Sequence, residues 1–135
     1  MIHNMIYVKI NEMFYEAIIN GNIVDTEWDN RESKSITLKM DYAEAVALFV
    51  NDIKWSIVMQ DRALIYQTDE NGDFVFNENG EPILIDSVIQ EEEFDNSDYS
   101  LAGDITDHRD GTITVKMGKL TDLEEAYELL LGGTE

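Results

Sequence analysis

Between Ser33 and Met59 the chain alternates, breaks into a short apolar block, and alternates again. Ile36, Leu38 and Met40 interleave with Ser35, Thr37 and Lys39, the period of a strand with one buried face. Asp41 stands where a helix N-cap belongs, and Glu44 completes a capping-box pattern. Ala43, Val46, Ala47 and Val50 then fall on one helical face, with Leu48 and Phe49 beside it. A segment this apolar on most sides predicts a short buried helix over about 42–50. Trp55, Ile57 and Met59 resume the strand period.

The same reading extends to both ends. Met5–Ile10 and Met13–Ile19 predict two strands joined through Asn11-Glu12, where Asn11 suits positive φ and Glu12 suits it poorly. Asn20-Gly21-Asn22 predicts a second turn, with Ile23-Val24 opening a third strand. Asp25–Ser33 reads as a polar loop interrupted by Trp28, whose ring either covers the core edge or anchors a partner. After a long strand over Ser56–Tyr66 comes a β-hairpin excursion at about 66–93. It carries turns at Asp69-Glu70-Asn71-Gly72 and Asn77-Glu78-Asn79-Gly80, with Phe74-Val75-Phe76 as a short strand between them. Ile83–Ile89 is the next strand, and Glu91-Glu92-Glu93 reads as a solvated edge or loop. Asp107–Thr112 predicts a tight hairpin loop with Gly111 in the left-handed region. Thr121 caps a final helix over about 121–131, again with Glu124 at the capping-box place. Its stripe is Leu123, Ala126, Tyr127, Leu130 and Leu131, and Gly132-Gly133 ends it. That stripe docks either on its own domain or on another protein.

The fold class expected is α+β: one domain over 1–135, mostly antiparallel β-sheet, with a short buried helix and an amphipathic C-terminal helix. Charge changes the picture more than length does. There are 29 acidic and 9 basic residues, a formal net charge of −20. Such a chain is not suited to direct binding of nucleic acid or anionic membrane, which require basic surface. Basic protein surfaces and cations remain as partners. The sequence has no cysteine, which fits a reducing cytoplasm or a virion equally. The start, MIHNMIYVKI, lacks the pattern of a signal peptide, and no apolar block is long enough to span a bilayer.

Candidate chemistry is sparse. His3 and His108 lack the company that zinc sites and general-base pairs use. No nucleophile elbow and no phosphate-cradling glycine loop is present. Asp69, Asn71 and Asp73 alternate like the first ligands of a calcium loop, but Gly72 and Gly80 stand where that loop's spacing fails. Asp95, Ser97 and Asp98 form a second oxygen-rich group, read as a solvated loop. Carboxylates are so abundant that any glycosidase-like spacing arises by chance. The expectation is therefore no enzyme, with no catalytic, cofactor-binding or metal residues.

Four stretches resemble a known group: EWDNRESKSITL (27–38), WSIV (55–58), FDNSDYSLAGDITDHRDGTITVKMGK (94–119) and LTDLEEAYELL (120–130). They are similar to small acidic proteins encoded in prophages of gut Firmicutes, near tail and lysis genes. The resemblance spans most of the chain outside Tyr66–Glu93, and no catalytic residues come with it. It implies a phage origin and a tail- or virion-associated structural or assembly role, in the virion or the host bacterial cytoplasm. Partners would be other phage proteins or further copies of the chain, met through Trp28, Leu123, Tyr127, Leu130 and Leu131. The alternative is an acidic anti-defence inhibitor that mimics nucleic acid in the basic groove of a host protein.

Overall fold

The computed structural model describes residues 2–132. Seven strands and two helices follow one another: β1 (Ile2–Ile10), β2 (Met13–Asp25), β3 (Arg31–Lys39), α1 (Tyr42–Leu48), β4 (Trp55–Tyr66), β5 (Leu84–Asp95), β6 (Leu101–Asp107), β7 (Thr112–Gly118) and α2 (Asp122–Gly132). The strands order as β5-β4-β1-β2-β3-β7-β6, and every pairing is antiparallel. The architecture is α+β, as its hydrophobic pattern implies.

The β1–β2 turn places both Asn11 (φ 52°) and Glu12 (φ 66°) in the left-handed region, the requirement of a two-residue hairpin. The turn expected at Asn20-Gly21-Asn22 is absent. β2 runs through it to Asp25, with its register to β3 shifting between Asn20 and Ile23. A bulge absorbs the extra residues, and pairing to β3 overrides the local turn chemistry. β2 also changes partners: Met13 to Glu16 face β1, and Ala17 to Asp25 face β3. Both halves of the sheet therefore contribute to one core of Val8, Ile10, Ile36, Leu38, Trp55, Ile113, Val115 and Met117.

α1 corrects the expected buried helix. Its N-cap is as read, with Asp41 accepting a hydrogen bond from the Glu44 backbone at 3.2 Å. Only Ala45 within it is buried; Phe49, at its C-cap, is buried too, whereas Tyr42, Val46 and Val50 are exposed. The helix is too short to present more than one narrow face, and that face looks towards β6 and β7. Alanine fits either side of a helix, so pattern alone favoured the wrong face.

The excursion at 66–93 also differs from its reading. β4 continues to Tyr66 and β5 begins at Leu84, so only residues 67–83 are irregular; the glutamate run lies in an exposed edge strand, the first of the two readings given for it. Phe74-Val75-Phe76 is held by isolated bridges, Thr68 to Phe74 and Phe76 to Pro82. Its two turns repeat one device. The Asp69 carboxylate accepts from the backbone of Asn71 and Asp73, and the Asn77 carbonyl accepts from Asn79 and Glu81. Gly72 (φ 84°) and Gly80 (φ 77°) close them.

The β6–β7 loop matches its reading, with Gly111 at φ 92°. A Cβ there would meet nothing within 4 Å, so Gly111→Ala tests backbone strain alone. It should destabilise by about 1 kcal/mol. Urea unfolding checks this, and an unchanged midpoint would refute the turn's need for glycine.

Candidate interaction surfaces

One face of β6 and β7 lacks side chains where it most needs room. Cβ atoms at Gly103 and Gly118 would lie 2.7–2.9 Å from the Trp28 ring or Arg31 Cδ. The indole fills that space, half-buried, with the Arg31 guanidinium 4.9 Å from its ring centroid. Trp28 therefore covers the fold edge. Of the two roles read for Trp28, the packing favours the cover of the core edge, and the half of the ring left in solvent is what a partner would meet.

Arg31 is 3% exposed. It reaches past Trp28 to the start of α2, where its Nη1 and Nη2 donate to the two Glu124 carboxylate oxygens at 2.6 and 3.0 Å. Nη1 also donates to the Lys119 carbonyl at 2.9 Å. Glu124 in turn caps its own helix: it accepts from the Thr121 backbone at 2.8 Å, while its own N–H donates to Thr121 Oγ1 at 3.3 Å. The Arg31 bond, with these helping, holds its carboxyl down to about 2 from the ordinary 4.5. Beside it, Lys116 pairs with Asp25 at 2.7 Å and Lys119 with Glu32 at 3.3 Å.

Beyond this clasp the apolar side chains of α2 are exposed. Leu123 is 80% exposed and Leu130 72%, and Tyr127, Leu129 and Leu131 are also exposed. Among the described residues no strand packs alongside α2, and α1 does not either. Leu123 and Tyr127 border a shallow apolar cleft with Leu101 and Leu120. The stop expected at Gly132-Gly133 falls partly outside the described residues.

The second bare region is the β4–β5 arm. Leu64, Ile65, Tyr66, Leu84, Ile85, Val88 and Ile89 are all exposed, as are Phe74 and Phe76 at its tip. Arg62 pairs with Asp86 at 3.0 Å across the arm, and His3 Nε2 lies 3.8 Å from the same carboxylate. The other histidine, His108, bonds Thr114 at 2.7 Å. Asp69 and Asp95, considered for calcium, spend an oxygen each on neighbouring backbone N–H groups. Among the described residues no group of three or more acidic or histidine side chains converges as a metal site.

No family model, curated protein or solved structure matches the chain. The surfaces themselves must therefore carry the functional reading. Of the residues named from sequence, Leu123, Tyr127, Leu130 and Leu131 share α2, and Trp28 sits near the clasp that holds its first turn. Arg31 escaped sequence reading. Its partner lies 93 residues away, and nothing local in DNRES distinguishes a buried arginine from a solvated one.

Proposed function

We propose that this chain is a non-catalytic assembly protein, in the phage-associated setting its sequence resemblance implies. Its terminal helix α2 seats in an apolar, basic-rimmed groove on a different protein. The observation that carries this reading is a helix fastened at its first turn, with its leucines and tyrosine in water. A helix of about eleven residues is marginal alone, and burial of its apolar face supplies most of the stability of such elements in proteins.

Charge selects the partner. α2 carries Asp122, Glu124, Glu125 and Glu128 and no basic residue. Lys9, Arg31, Arg62, Lys116 and Lys119 already bind carboxylates of their own chain, so a second copy offers little basic rim. The nucleic-acid-mimic reading has less support. Glu91 and Glu93 are engaged by Gln60 and Lys9 rather than standing free in a row.

Leu123→Ser with Leu130→Ser separates the possible docking places. If α2 docks on another protein, the isolated double variant stays within about 0.5 kcal/mol of the parent, as exposed substitutions do. Light scattering should show both as monomers. A stability loss of several kcal/mol would place the helix on its own domain, and a parent dimer abolished by the substitutions would place it on a second copy. Either result overturns the reading.

A further inference from the structure

The sheet has two edges, and they are finished differently. Both edge strands break register, β6 between Ala102 and Ile105 and β5 between Val88 and Gln90, but β6 is also short. The loop after α1 covers part of it: Asn51 Oδ1 accepts from the Ala102 backbone at 2.8 Å, and the Asp52 N–H donates to the Ser100 carbonyl at 2.7 Å. β5 has no such cover. It is 12 residues long, β4 is its only strand neighbour, and among the described residues nothing pairs with its outer side. Lysine and proline, which commonly blunt such edges, are absent from it.

From this edge we infer a second docking site: β5 accepts an extended, basic segment of a partner protein as an added antiparallel strand along Gln90–Asp95. An unpaired row of backbone N–H and C=O groups is a template for strand addition, and side chains then decide which strand is accepted. Glu91 and Glu93 turn to one face, tied to Gln60 and Lys9, which leaves Gln90, Glu92 and Phe94 on the other by strand alternation. On that second face Met59 lies opposite Glu92 and Ile57 opposite Phe94, an apolar strip with one carboxylate in it. An incoming strand finds there a place for an apolar side chain beside Phe94 and for a lysine or arginine beside Glu92.

The same residues disfavour a second copy that pairs through this run. Antiparallel pairing of two β5 strands about Glu92 sets glutamate against glutamate through the whole run, and like charges directly opposed are destabilising. Along Gln90–Asp95 the edge thus repels its own copy and suits a strand of opposite charge. This site shares no residue with α2, so the two readings stand or fall separately.

The probe is a synthetic peptide alternating valine and lysine, about ten residues long so that it spans most of β5. It is titrated into the full chain at physiological ionic strength, with amide hydrogen exchange read residue by residue. Protection should appear at Gln90–Asp95. The same peptide N-methylated at alternate peptide bonds keeps its charge and loses one bonding edge; it should bind at least about tenfold more weakly. Glu92→Lys, an exposed substitution, should weaken the parent peptide by about tenfold, while Leu123→Ser with Leu130→Ser should leave it unchanged. Equal binding of the N-methylated peptide would reduce the effect to bulk charge and overturn the proposal. So would protection confined to other elements, dimer formation through β5, or no binding.

Discussion

Trp55→Ala should lower stability by about 3–5 kcal/mol, as large-to-small changes in cores do. Trp55 is 2% exposed and stands at the start of β4 opposite Ile10, in one core with Val8, Ile10 and Phe49. Its Nε1–H donates to the Tyr99 carbonyl at 3.0 Å, and its ring meets Tyr99 edge-on with centroids 6.5 Å apart. Truncation opens a cavity and also strips an acceptor of its partner, so the loss falls towards the upper part of that range. Trp55→Phe keeps much of the volume but not the donor, and should cost clearly less. Urea unfolding at a constant slope is the measurement. A Trp55→Ala midpoint near that of the parent would mean that the core is assembled differently.

The second large effect belongs to Glu124→Ala. It leaves the buried Arg31 guanidinium with only the exposed Asp29 carboxylate, 3.4 Å from Nη2; losing a partner costs about 3–5 kcal/mol where both partners are buried. The Glu124 side chain is 38% exposed, so solvent screening brings the expectation down to about 2–3 kcal/mol. Arg31→Met should cost less, because the freed carboxylate can rehydrate while the methionine still packs under Trp28. The order of the two variants is the test: a larger loss for Arg31→Met would mean that packing, not charge, fixes the helix. The pH dependence has a definite sign. With its carboxyl held at about 2 in the folded chain, Glu124 contributes stability that is fully present above 4.5. The contribution falls away as pH drops towards 2. Carbon NMR of the Glu124 carboxyl should show it still ionised at a pH where ordinary glutamates have taken up their protons.

The strands with one wet face were legible in the sequence, because strict alternation and local turn residues such as Asn71-Gly72 and Asp110-Gly111 carry their own signal. β5 was legible only in part. An edge strand exposed on both faces does not alternate, and its glutamates read equally as a solvated edge or as a loop. Asn20-Gly21-Asn22 misled for the opposite reason, as a strong turn signal was overridden by pairing to β3. The helix stripe of α2 was readable, but amphipathicity states only that a helix has an apolar face and never where it docks. The clasp of Arg31 on Glu124 could not be read, since it joins residues that no local pattern connects.

Photo-crosslinking from position 127 of α2 tests the central claim most directly. A photoreactive residue replaces Tyr127, the chain is expressed in its native host, and the crosslinked peptides are sequenced. A helix that works by docking on another protein should capture a discrete segment of one different, basic protein at an apolar groove. Crosslinks confined to the same chain, or only to a second copy of it, would contradict the account.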